Sequence, residues 1–199
     1  SKMTTSGETR LKVNEAVSQI VDGNYVYQLL ISTGLVNANA LAREIKESVE
    51  AMTGKKAKIN TIAKAIAMKK VSEVETSSVF RGLSFTLDSN LIEKELDAKE
   101  AGSVPLASTL LLFRHGDRIV LLKQRGENDE SSDLVLLRLT FPGNSVAYHP
   151  LWIVFNSLKI EVKHVLRHDN DLFIFMRRSE AIRALTVIER LTSNLRAEK

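Results

Sequence analysis

The sequence predicts an α+β protein, with three helices near its start and a strand, helix, strand, strand, helix order in residues 134–195. Two observations predict this class. Apolar residues recur at helical spacing through residues 11–70, and from residue 79 onward they run continuously or alternate, as in strands. A hydrophobic fraction of 44% beside 26% charged residues is typical of chains with well-packed cores. We therefore expect a helical unit at 1–75 and strand-rich units at 76–130 and 131–199.

The first unit is predicted to be a three-helix bundle that is similar to a helix-turn-helix. The first helix is interrupted at Asp22-Gly23-Asn24, and Asn37 or Asn39 can cap the second. Thr53-Gly54 ends the second helix, because glycine readily adopts the left-handed conformation found after helices. The third helix carries its apolar residues on one side: Ile59, Ile62, Ala63, Ile66 and Ala67.

The third helix also lies in the one concentrated basic segment of the chain. No acidic residue occurs between Glu50 and Glu73. Lysine binds phosphate by releasing counterions, and an asparagine can read an adenine edge. We therefore expect DNA to contact this segment, and the alternative is a solvated face of a bundle that only packs or dimerises. The predicted contact residues are Lys55, Lys56, Lys58, Asn60, Thr61 and Lys64.

The last unit has the clearest pattern of apolar residues. A nearly continuous apolar run at 134–139 predicts a buried strand, and a helix follows at 146–158, with Pro150 as an alternative start. Residues of alternating character at 160–166 predict a strand with one solvent-exposed face, and its hairpin partner is predicted at 172–176. Ser179 is predicted to cap the last helix.

The middle segment repeats part of this order. Residues 79–87 are predicted to be a strand, 89–96 a short helix, and 109–113 with 118–123 a hairpin. The closing helix is missing because 124–133 is too polar. The segment is thus either a partial duplicate that lacks one helix or an extension of a single larger sheet.

The strand and helix order, with Leu139-Thr140-Phe141-Pro142-Gly143 at the first strand-to-helix turn, resembles the ACT domain. This family is a ferredoxin-like βαββα module that binds amino acids and related metabolites. With the helical segment in front, the chain is similar to small archaeal regulators that join a helix-turn-helix-like unit to ACT-like units. Pro142 and Gly143 match the turn of the family, and Thr140 stands where the family commonly has aspartate. In the middle segment Asp88 is kept, without the proline and glycine.

The resemblance implies a ligand site at this turn. Gly143 would let a ligand approach the backbone, and free N–H groups at the next helix N-terminus suit a carboxylate. The alternative is that Pro142-Gly143 only makes a tight turn. The expected ligand-binding residues are Asp88, Ser89, Asn90, Thr140, Gly143, Asn144 and Ser145.

The remaining motifs narrow the class of function. The absence of cysteine excludes thiolate metal sites, iron–sulfur clusters and cysteine nucleophiles, and no catalytic motif is present. We expect a cytoplasmic protein that is not an enzyme, has no metal or cofactor, does not contact membrane and forms a homodimer or higher oligomer. Its expected function is the sensing of an amino-acid-like effector, coupled to DNA binding. The alternative is an interaction module that regulates a partner enzyme without binding DNA.

Overall fold

The computed structural model describes residues 10–69, 80–143 and 148–193. These residues form two compact units, one made of 10–69 and the other of 80–192. Helices build the first unit, and two antiparallel sheets with two helices build the second. The protein is therefore of the α+β class, as its sequence predicts.

Residues 10–69 contain four helices, so the predicted count of three is wrong. The helices are α1 (Val13–Asp22), α2 (Tyr25–Ser32), α3 (Ala38–Thr53) and α4 (Ile59–Met68). The break at Asp22-Gly23-Asn24 starts a new helix because the Asn24 side chain accepts hydrogen bonds from the N–H groups of Val26 and Tyr27. Asn37 caps α3 in the same way, through the N–H of Ala40.

The core of the helical unit lies between α1, α3 and α4. Gly54 follows α3 with a φ of +66°, a conformation that glycine adopts without strain. The chain then turns and enters α4, whose buried side faces this core. The buried residues are Ala16, Val17, Val21, Leu41, Ala42, Ile45, Val49, Ile62, Ala63, Ala65 and Ile66.

The described part of the second unit contains seven strands in two antiparallel sheets. The first sheet has the order β1-β5-β7-β6 and the second has the order β2-β4-β3. Two short 3₁₀ helices, Ala98–Ser103 and Leu106–Ser108, connect β2 to β3. The strands are β1 (Ser84–Asp88), β2 (Leu91–Asp97), β3 (Thr109–His115), β4 (Arg118–Gln124), β5 (Leu134–Thr140), β6 (His164–His168) and β7 (Asp171–Arg177).

The segment 89–96, predicted as a short helix, is instead strand β2. Its residues Leu91, Glu93 and Glu95 pair with Gln124, Leu122 and Val120 of β4. Pairing with a strand that lies far away in sequence outweighs the local helical preference of these residues. Strand β1 does not form part of a separate middle unit. It pairs directly with β5 in the first sheet.

Helices α5 (Tyr148–Ser157) and α6 (Arg178–Ser193) complete the second unit. Pro150 lies in the first turn of α5, where its missing N–H is tolerated. The prediction that Ser179 caps α6 is wrong, because this residue already lies inside the first turn of the helix. The strand predicted at 160–166 begins only at His164.

Both faces of β5 are buried along most of its length. Leu134 and Leu136 pack with Phe175 against Leu91 and Leu122 of the second sheet. The opposite face of the first sheet is equally buried, at Val135, Leu137, Leu139, Leu172, Ile174 and Met176. The two sheets therefore share one core through β5 and β7.

Candidate ligand and nucleic-acid surfaces

The predicted DNA-contact residues lie together on the turn between α3 and α4 and on the start of α4. All six are exposed: Lys55, Lys56, Lys58, Asn60, Thr61 and Lys64. Lys58 is the N-cap residue of α4, so Asn60 and Thr61 lie in its first turn and Lys64 lies one turn further on. We call these six residues the lysine surface.

None of the four lysines of this surface makes an ion pair with a residue that the structure describes. Other lysines are paired. The Lys69 ammonium lies 2.8 Å from Asp22, and this contact lowers the pKa of the Asp22 carboxyl. Lys123 lies 2.7 Å from Asp129, which Lys94 also contacts. The lysine surface therefore carries positive charge that the described carboxylates leave unneutralised.

Two residues of α3 hold the turn that carries Lys55, and neither was singled out from the sequence. The Glu50 Oε1 accepts a hydrogen bond of 2.9 Å from the Ala57 N–H. The hydroxyl of Thr53, which is buried, donates to the Val49 carbonyl at 2.8 Å and lies 3.3 Å from the Lys55 carbonyl. Their spacing in sequence gives no signal, because the contacts with Lys55 and Ala57 arise only when the chain folds back after Gly54.

The predicted ligand residue Thr140 lies at the end of β5, opposite Asp171 on β7. Its hydroxyl donates a 2.7 Å hydrogen bond to the Asp171 Oδ1, and the Arg138 guanidinium pairs with the other carboxylate oxygen. The Thr140 hydroxyl, followed by Arg138, lowers the pKa of the Asp171 carboxyl. Arg138 and Asp171 could not be predicted at this site from the sequence, because strand register alone brings them together with Thr140.

Among the described residues, none fills the space beside the Gly143 backbone where a Cβ would lie. Its φ is +62°, and no atom of the described residues lies within 4 Å of the position that a Cβ would take. The turn before it is fixed, because the Phe141 N–H donates to the Asn170 carbonyl at 2.9 Å. Gly82 packs close to Pro142, because a Cβ added to Gly82 would lie 3.3 Å from the Pro142 Cγ. The predicted residues Asn144 and Ser145 lie outside the described residues.

Asp88 is the last residue of β1, and Ser89 and Asn90 connect it to β2, where the chain passes from the first sheet to the second. The Asp88 Oδ1 accepts a 2.9 Å hydrogen bond from the Asn90 N–H, as in turns that start with aspartate. Ser84 pairs with Thr140, whereas Asp88 pairs with Leu136. Asp88 is therefore roughly 13 Å along the strand from Thr140, and the structure does not join the two sets into one site.

Acidic and histidine side chains do not gather into a metal site in the part of the chain that the structure describes. In residues 10–69, 80–143 and 148–193, no three of them cluster as such a site would require. His164 instead contacts Glu93. Among the described helices, none combines the length and the apolar character that crossing a bilayer needs.

No family model matches the sequence, and no curated protein matches it. Among solved structures, one similar chain comes from a crystal structure of aspartokinase alpha and beta subunits; it is 7% identical, with a TM-score of 0.47, over 60% of this chain and 99% of that one. Another is a protein of unknown function from Vibrio cholerae, described as a possible transport protein, which is 15% identical, with a TM-score of 0.47, over 61% of this chain and 99% of that one. The α+β class therefore rests on the strands and helices described above.

Proposed function

We propose that the protein is a cytoplasmic, ligand-responsive regulator, not an enzyme, whose helical unit binds DNA and whose strand-rich unit binds an amino-acid-like molecule. The observation that carries the proposal is the lysine surface. Four exposed lysines without described carboxylate partners surround the start of a helix that also exposes Asn60 and Thr61. This arrangement offers phosphate contacts around a helix that can enter a groove.

Electrostatics favour this surface over the described lysines that already pair with carboxylates. A lysine that already pairs with a carboxylate must give up that partner before it gains a phosphate, as Lys69 would with Asp22. No described ion pair has to be broken before phosphate binds to Lys55, Lys56, Lys58 or Lys64. Each phosphate that they neutralise releases condensed counterions, so binding should be strongest at low salt.

The ligand site is proposed at the end of β5, where the resemblance to ACT-like units places it. The space that the described residues leave beside Gly143 supports the proposal, since a ligand carboxylate could approach the backbone there. The Thr140 hydroxyl already donates to the Asp171 carboxylate, so it would contact a ligand as an acceptor. Ligand binding would shift the population of DNA-competent states, with a coupling of about 1–3 kcal/mol.

The test replaces Lys55, Lys56, Lys58 and Lys64 together with glutamine. Wild-type binding to random duplex should weaken steeply as salt rises, and the quadruple variant should show a slope shallower by about 0.9 for each phosphate that is no longer neutralised. A matched variant changes three exposed lysines elsewhere, Lys12, Lys99 and Lys159, and should keep the wild-type slope. Fluorescence anisotropy at several salt concentrations gives all three slopes.

The quadruple variant contradicts the proposal if it retains both the affinity and the slope of the wild type. If the wild type binds no random duplex at low salt, the alternative gains support. In that case the helical unit would bind a partner enzyme and contact no DNA.

We further propose a homodimer or higher oligomer. Strands β1 and β6 end the first sheet, and within the described chain each pairs with one neighbour only. Edge strands of this kind are commonly completed by pairing with another chain. Light scattering at micromolar concentration should give at least twice the monomer mass, and a clean monomer would remove this part of the proposal.

A further inference from the structure

The turn between α3 and α4 depends on one carboxylate. Glu50 lies in the last turn of α3, and its Oε1 accepts the Ala57 N–H at 2.9 Å. The hydrogen bond spans seven residues and closes over Gly54, Lys55 and Lys56. Ala57 lies between α3 and α4, so its N–H has no acceptor within a helix, and the Glu50 oxygen satisfies it and restricts the turn.

We propose that Glu50 is a positioning residue of the lysine surface, which holds Lys55, Lys56 and Lys58 in the arrangement that contacts phosphate. The inference rests on the proposed DNA binding and adds a residue whose charge opposes that binding. A carboxylate beside phosphates repels them, so an acidic residue here lowers affinity unless its hydrogen bond contributes more. The direct electrostatic effect of Glu50 on DNA binding is therefore repulsive, whereas that of the four lysines is attractive.

The other interaction of Glu50 is too weak to explain its position. The Lys46 ammonium lies 3.8 Å from the Glu50 Oε1, and the Lys46 side chain is 41% exposed. Exposed ion pairs of this type contribute little to stability. The Ala57 N–H is the closer partner, and it is the one that belongs to the turn.

Three substitutions of Glu50 separate the effect of its side-chain length from the effect of its charge. E50Q keeps an acceptor oxygen at the same distance and removes the charge. E50D keeps the charge but shortens the side chain by one methylene group, and E50A removes both. E47A is the matched control, because Glu47 is an exposed acid of the same helix and makes no described contact with the turn.

The positioning role predicts opposite results for these variants. E50Q and E47A should bind duplex as tightly as the wild type or more tightly, because each removes one repelling charge. E50D and E50A should bind more weakly, with a salt slope shallower by about 0.9 for each lysine that no longer reaches its phosphate. Circular dichroism should show the same helix content for all variants, and amide exchange at Ala57 should accelerate in E50D and E50A only.

Each other outcome overturns the inference. If E50A binds more tightly than the wild type, Glu50 acts only by repulsion. If Ala57 exchange is unchanged in E50A, or if the E50D slope equals that of the wild type, the hydrogen bond does not position the lysines. A wild type that binds no duplex overturns the proposed function together with this inference, whereas a binding wild type with an unaffected E50A overturns the inference alone.

Discussion

His164 Nε2 lies 2.9 Å from Glu93 Oε2, and this interaction joins β6 of the first sheet to β2 of the second. The imidazole also packs edge-on against two rings, at 5.3 Å from the centroid of Phe113 and 6.4 Å from that of Phe175. Lys163 lies 3.6 Å from the same carboxylate. A half-buried histidine thus connects the two sheets at the end of their shared core.

Replacing His164 with alanine should lower the free energy of unfolding by about 1–3 kcal/mol, since alanine can supply neither the hydrogen bond to Glu93 nor the packing against the two rings. Urea denaturation gives this value. His168→Ala is the control, because that side chain is 77% exposed, and its effect should stay within about 0.5 kcal/mol. Equal stability of His164→Ala and the wild type would show that the two sheets are held without this histidine.

The Asp171 carboxyl should make the free energy of unfolding depend on pH. Its folded-state pKa is lowered, chiefly by the Thr140 hydroxyl and then by Arg138. A carboxyl of this kind stabilises the fold above its unfolded pKa of about 3.9, and the contribution disappears as the pH falls through the folded-state pKa. Thr140→Val should therefore raise the pKa of Asp171 and reduce the loss of stability between neutral and acid pH.

NMR titration of the Asp171 carboxyl carbon checks this pKa directly. The control is Thr86→Val, because Thr86 is an exposed threonine of the neighbouring strand β1 and pairs with Arg138 in the strand register. It should leave the titration unchanged. An Asp171 pKa that stays the same in Thr140→Val would mean that Arg138 and His168 lower it without the hydroxyl.

Gly143 and Gly116 form a matched pair for the ligand proposal. Their φ values are +62° and +61°, and neither has a described atom within 4 Å of an added Cβ. Valine at either position should cost about 1–3 kcal/mol through backbone strain. An amino-acid mixture at about 100 times the dissociation constant should stabilise the wild type and Gly116→Val by roughly 2.7 kcal/mol, and Gly143→Val by much less.

Thermal unfolding with and without the mixture measures these shifts. Equal shifts in the two valine variants would place the ligand away from Gly143. No shift in the wild type would remove the sensing half of the proposed function and leave DNA binding to be judged by itself.

The sequence predicted best where local pattern decides structure. The continuous apolar run of β5 and the exposed start of α4 are both in the structure, because burial and helical periodicity are properties of neighbouring residues. Strand β2 was mistaken for a helix, since Leu91-Ile92-Glu93-Lys94-Glu95-Leu96 also fits helical spacing and its partner β4 lies far along the chain.

In the candidate sites, too, the sequence predicts features that neighbouring residues decide and misses those that distant residues decide. Exposure of Lys64 follows from the apolar side of α4, which local spacing reveals, and Lys55, Lys56 and Lys58 lie in the polar segment just before that helix. The Thr140 to Asp171 hydrogen bond joins residues 31 positions apart, and the Glu50 to Ala57 hydrogen bond requires the left-handed Gly54 between them. Neither can be predicted from composition or periodicity, because each depends on register or on the path of a turn.

The pairing of β1 with β5 constrains the order in which the second unit can fold. All three strands of the second sheet lie between these two neighbours in the chain. Closing β1 onto β5 early would confine a long loop, whereas a preformed β2-β4-β3 sheet shortens the distance to be closed and lowers its entropic cost. During synthesis, β1 emerges well before its partner, with Phe85 and Leu87 still without neighbours. Folding of this unit should therefore be slow compared with that of the helical unit, whose interactions are more local.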